Sequence, residues 1–132
     1  MILDRAFRVL TVVAALVATC NGALPASADV YELRTYTTND GKLPALHQRF
    51  SNHTMRIFEK HGMQNVSYWI PANKPNTLIY VIAHKDADAA KANWEGFLSD
   101  PKWQEVYTAS IANGRLVNKI DSVLMTKTPY SP

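Results

Sequence analysis

The chain has 132 residues, with 14 Lys and Arg against 11 Asp and Glu and a formal net charge of +3. The basic residues stand singly among the acidic ones, which excludes the clustered basic stripe of a nucleic-acid surface. Cys20 is the only cysteine, so no disulfide framework is available, and the length allows one domain with a modest core that must be held by packing.

Taken in chain order, the first segment carries Arg5 and Arg8, then the apolar run Val9 to Thr19, then the small residues Ala26-Ser27-Ala28. The run is too short for a permanent membrane helix, and the pattern predicts a cleavable export signal over residues 1–28. Cleavage would start the mature chain at Asp29, remove Cys20, take the net charge from +3 to +2 and leave no stable membrane span. The expected location is therefore periplasmic or secreted. A lipid anchor on Cys20 is the alternative, disfavoured because Thr19 precedes it where a smaller residue is wanted.

Residues 29–132 read as one domain. Val30 to about Thr38 predicts a first strand, with Tyr31, Leu33 and Thr35 on a face that can join a core. The other face carries a carboxylate, a guanidinium and a phenol in a row: Glu32, Arg34 and Tyr36. After the turn Asn39-Asp40-Gly41, Pro44 suits the first turn of a helix in which Leu46, Phe50, His53 and Ile57 recur at helical spacing. The helix ends at Lys60-His61 and is stopped by Gly62. Val66 to Ile70 predicts a second strand and Leu78 to His84 a third, joined by the turn Asn73 to Asn76.

Asp86 or Asp88 can cap a second helix with the apolar stripe Ala87, Ala90, Trp94 and Phe97. At Ser99-Asp100-Pro101 this helix breaks and restarts, with Asp100 as N-cap, and the restarted part buries Trp103, Val106, Tyr107 and Ile111 before Asn113-Gly114. A last strand runs from about Val117 to Thr126. The order predicts an α+β, ferredoxin-like split β-α-β fold, an antiparallel sheet with helices on one face.

The third strand is apolar on both sides, Ile79, Val81 and Ala83 opposing Leu78, Tyr80 and Ile82. Helices can cover one of these faces. The other, extended by Trp69 or Tyr68, is a larger apolar patch than soluble monomers tolerate, so a homodimer with two sheets face to face is expected. The space between the sheets would be a cavity floored by Tyr80 and Ile82 and rimmed by Glu32, Arg34 and His84, suited to a small, partly apolar ligand.

Five separated blocks resemble proteins of the NIPSNAP family: Tyr31-Glu32-Leu33-Arg34-Thr35-Tyr36, Glu59-Lys60-His61-Gly62-Met63, Tyr68-Trp69, Asp100-Pro101-Lys102-Trp103 and Tyr130-Ser131-Pro132. The resemblance covers Asp29 to Pro132 and keeps the family's order. It implies a ferredoxin-like fold of the dimeric α/β barrel type and no established reaction.

The candidate ligand-binding residues are Glu32, Arg34, Tyr36, Trp69, Tyr80 and His84. Glu32 is also a candidate acid-base residue, with Arg34 holding an anionic group, or the two simply pair with each other. His53 on the apolar stripe is either a general base at the cavity or a core histidine. No metal is expected, because His47, His53 and His61 are spaced by six and eight and share no helical face. No cofactor is expected, and the Asn, Trp and His trio of haem-degrading relatives cannot be placed. Three functions stay open: a ligand-binding homodimer, a small cofactor-independent oxygenase, or a structural module with a filled interior.

Overall fold

Residues 30–132 are described in a computed structural model of the chain, and the expected export signal and the Cys20 alternative lie outside the described residues. Four strands, β1 (Val30–Thr38), β2 (Gln64–Trp69), β3 (Thr77–His84) and β4 (Val117–Met125), form one antiparallel sheet in the order β2-β3-β1-β4. Because β1 and β2 both pair antiparallel to β3, they run the same way and need a crossover, which the helices supply. The expected α+β split β-α-β fold, with helices on one face of an antiparallel sheet, is the observed one.

The first crossover is a single helical run in three parts: α1 (Leu43–Arg49), a π-helical turn (Phe50–Thr54) and α2 (Met55–Lys60). In the π turn the Met55 N–H bonds back to the Phe50 carbonyl and the Thr54 hydroxyl donates to the Arg49 carbonyl at 3.2 Å. The extra residue rotates everything that follows by about a quarter turn. Thr54 and Phe58 thereby face the sheet, and His53 is turned out to solvent. The placing of His53 on the buried stripe is corrected by this turn.

Gly62 closes α2 at φ +80°. The Gly62 N–H bonds to the Glu59 carbonyl and the Met63 N–H to the Phe58 carbonyl, the paired bonds of a left-handed helix stop. The second crossover is α3 (Ala87–Ser99) followed by α4 (Pro101–Ser110). Their caps are those expected: Asp86 accepts from the Ala89 N–H, and Asp100 accepts from the Lys102 N–H with Pro101 at the first helical position.

Asp100 also joins the two crossovers. Its buried carboxylate receives Lys60 Nζ and His61 Nε2, each at 2.7 Å, and these hydrogen bonds hold it well below the usual carboxylate range. Gly96 of α3 leaves room for the His61 ring, since a Cβ there would lie 2.8 Å from His61 Nδ1. Gly96→Ala is therefore expected to lower the melting temperature, although Ala favours a helix interior by about 1 kcal/mol. A thermal melt showing a rise would mean that the His61 contact contributes nothing.

The helices cover the face that carries Glu32, Arg34 and Tyr36, not the face of Tyr31, Leu33 and Thr35. Tyr36 packs edge-to-face with Phe50 and Tyr80, and Phe58 lies among Phe50, Tyr80, Trp94 and Phe97, so the core is an aromatic cluster between the sheet and the helices. The opposite sheet face presents Leu33, Ile79, Val81 and Val123 in adjoining registers, with Trp69 49% exposed at the β2 edge. No helix among the described residues is long and apolar enough to cross a membrane.

Candidate functional site

The charged residues of β1 are central strand positions, so each is flanked by a neighbour on both sides. Glu32 lies between Ile82 of β3 and Leu124 of β4, and Arg34 between Tyr80 and Ser122. Glu32 is only 3% exposed, and each of its oxygens is filled. Oε1 accepts from Arg34 Nη1 at 2.6 Å and Ser122 Oγ at 2.7 Å, while Oε2 accepts from Trp94 Nε1 at 2.7 Å and His84 Nε2 at 3.0 Å. Burial alone would raise its pKa, but donation from His84, Trp94, Ser122 and Arg34 outweighs burial and brings it down to about 2.

His84 is fully buried behind Glu32. Asn93 Nδ2, which also donates to the Gly62 carbonyl, donates to His84 Nδ1 at 3.2 Å. With Nδ1 accepting, Nε2 carries a proton that points at Glu32, so the imidazole donates to the carboxylate and orients it. Glu32 in turn orients Arg34, whose guanidinium lies 4.2 Å over the Trp94 ring. Burial would lower the Arg34 pKa, but the facing Tyr36 and Tyr80 phenols and Glu32 raise it instead. With four donors on its two oxygens, the Glu32 carboxylate has every acceptor position occupied.

Beside this network lies a cavity of about 890 Å³ between the sheet and the helices. Its floor includes Arg34 and Tyr36 of β1, and its walls include Phe50 and Thr54 of the π turn, Phe58, Trp94, Phe97 and Trp103. Arg49, from the end of α1, enters it from the helix layer. Its guanidinium lies 5.2 Å from the Trp103 ring and 5.6 Å from the Tyr107 ring, and Nη1 donates to Ser110 Oγ at 3.1 Å. The Tyr36 hydroxyl accepts from the Tyr80 hydroxyl at 3.0 Å, which leaves the Tyr36 proton free to donate. No Asp, Glu or His is among the residues that line the cavity.

A model of the NIPSNAP family matches residues 31–132. The chain belongs to the NIPSNAP family. A NIPSNAP family protein of unknown function from Agrobacterium tumefaciens superposes with a TM-score of 0.69 at 23% identity, over 80% of this chain and 93% of that one. An uncharacterised NIPSNAP-like domain protein from Burkholderia xenovorans gives 0.68 at 18% identity, over 78% of this chain and 88% of that one. SnoaB, a cofactor-independent oxygenase from Streptomyces nogalater, gives 0.56 at 18% identity, over 80% of this chain and 99% of that one. No match to the chain was found among curated proteins. At these identities the likeness establishes the fold alone, an antiparallel sheet with helices on one face.

Within this NIPSNAP domain the residues singled out from the sequence separate into three groups. Arg34 and Tyr36 line the cavity; Glu32, His84 and Tyr80 are buried behind them; Trp69 and His53 lie elsewhere. Tyr80 and Ile82 do not floor a space between two sheets, since both are fully buried beneath the helices. Trp69 instead borders a smaller hollow of about 430 Å³ with His47 and Met55, on the other side of the π turn. His53 lies on the outer surface of the π turn, near Lys102 and Glu105 of α4. Among the described residues no three His, Cys, Asp or Glu side chains converge as a metal site requires.

Sequence reasoning missed Arg49, Trp103 and Thr54 as site residues. Arg49 could have been found: it follows Leu46 by three and precedes Phe50 by one, which places a guanidinium on the stripe that packs inward.

Proposed function

We propose that the protein is an exported homodimer that holds a small, partly apolar ligand in the cavity between its sheet and its helices. The observation that carries this reading is the cavity itself, aromatic on most sides and lined by three guanidinium groups, Arg34 from the sheet, Arg49 from the helix layer and the exposed Arg115. An interior filled by side chains, as a structural module would have, fits that volume poorly. The uncovered sheet face with Leu33, Val81 and Val123 supports pairing with a second copy of the chain. Arg5 and Arg8, the apolar run and Ala26-Ser27-Ala28 support export.

A second reading, a cofactor-independent oxygenase, draws on the fold shared with SnoaB. Such chemistry begins by taking a proton from the substrate, and the cavity lining offers no carboxylate or imidazole for that step. Tyr36 and the guanidinium groups could stabilise an anion already formed. Ligand binding is therefore the reading the geometry favours.

Native mass spectrometry of the protein purified gently from its own host tests the three parts together. The expected result is a dimer of chains beginning at Asp29, each carrying a reproducible small-molecule mass that Ile120→Trp, at the cavity mouth, removes. A monomer would refute the sheet-to-sheet dimer, a chain still holding residues 1–28 would refute export with cleavage, and a lipid-bearing chain starting at Cys20 would establish the anchored form. A dimer whose bound mass survives Ile120→Trp would place the ligand outside the cavity.

A further inference from the structure

We infer that the ligand is a flat aromatic monoanion, of the aromatic carboxylate class, and that Arg49 is the residue that binds its charge. The inference rests on the ligand-binding reading above and names the chemistry of its occupant.

Three guanidinium groups line the cavity, Arg34, Arg49 and the exposed Arg115, and the first two, held between sheet and helices, differ in how their charge is met. Arg34 has its counter-charge in Glu32 at 2.6 Å, so that pair is neutral as a unit. Arg49 is 6% exposed, yet no ion pair among the described residues includes it. Its single protein hydrogen bond goes to the Ser110 hydroxyl, and its Nε is buried without a partner. A buried, uncompensated cation is costly and is retained where something needs it. Its pKa direction agrees with this isolation: burial lowers it, and the Tyr36, Tyr107 and Tyr80 phenols only partly offset the loss.

Geometry then sets the ligand class. Arg115 is exposed and its charge is met by solvent, so one buried positive charge is unmatched and calls for one negative charge on the ligand, and a guanidinium meets a carboxylate through two parallel N–H bonds. The Tyr36 hydroxyl, with its proton free, supplies a further donor from the sheet side. Trp94, Phe97 and Trp103 give the rest of the cavity flat apolar faces, the last 4.4 Å from Phe97 between ring centres. Arg34 over Trp94 extends the same surface as a cation already neutralised by its own acid.

The test compares 2-naphthoate with its uncharged isostere 2-naphthamide by titration calorimetry at pH 7. The native protein is expected to bind the naphthoate at least about tenfold more tightly, the lower end of what a charge-assisted hydrogen bond contributes. Arg49→Met should bring the ratio of the two affinities to about one. Arg49→Lys, which keeps the charge and loses the fork, should retain part of the preference and serves if the Met variant folds poorly. Equal binding of the two probes, abolished by Ile120→Trp, would overturn the anion inference while leaving the cavity reading in place. A naphthoate preference that survives Arg49→Met would overturn the role of Arg49. Binding of neither probe would overturn the inference together with the reading beneath it.

Discussion

Glu32→Gln is expected to destabilise the fold by about 3–5 kcal/mol, the cost of removing one member of a buried ion pair, read from urea unfolding at pH 7. The amide can accept on one side only. Turned toward Arg34 and Ser122, its NH₂ meets a guanidinium; turned toward Trp94 and His84, it meets an indole N–H that cannot become an acceptor. A domain of this size has about 5–15 kcal/mol in total, so the loss is a large share.

The same residue gives a pH dependence. Its folded pKa, about 2, lies below the ordinary value of 4.5, so the stability it contributes is fully present above 4.5 and is lost as pH falls toward 2. The gap in unfolding free energy between the native chain and Glu32→Gln should therefore narrow across that window. A gap that stays constant from pH 5 to pH 2.5, or a loss below about 1 kcal/mol at pH 7, would show that the four hydrogen bonds do not hold the carboxylate as described.

Phe58→Ala is expected to cost about 3–5 kcal/mol, the range for truncating a buried aromatic ring. Phe58 is fully buried, with ring centroids of Phe97 at 4.8 Å, Trp94 at 5.5 Å, and Phe50 and Tyr80 each at 6.1 Å. These neighbours belong to the π turn, α3 and β3, so the space left cannot close without moving a helix against the sheet. Phe58→Leu, which keeps most of the volume, should recover more than half of the loss. If the Ala variant unfolds within about 1.5 kcal/mol of the native chain, the helix layer collapses more readily than its packing suggests.

The parts of this protein legible in its residues are those governed by local chemistry. The β1 strand runs from Val30 to Thr38 as read, because alternation and a following Asn-Asp-Gly turn act over a few residues. Asp86 and Asp100 cap helices where a short acceptor side chain meets free N–H groups, and Gly62 ends α2 where the backbone turns left-handed. The order of elements then leads to the antiparallel α+β sheet with helices on one side. The five separated blocks, read together, point to the NIPSNAP family that the match over residues 31–132 establishes.

The site was less legible, for two physical reasons. Strand β3 is apolar on both faces, so its composition does not say which face the helices cover. That is decided by how the two crossovers return over the sheet, a matter of connection handedness in three dimensions. Choosing the Glu32 face moved Tyr80, Ile82 and His84 from a space between subunits to the interior of one. The π turn is the second reason: one extra residue in a helix leaves no mark in a 3.6-residue stripe, yet it turns His53 outward and Thr54 and Phe58 inward. The sequence by itself determined the elements, their caps and the family, because those depend on neighbours in the chain. Only the tertiary structure decided which charged groups share the cavity, because Arg49 and Arg34 come from different layers and meet only when the helices close over the sheet.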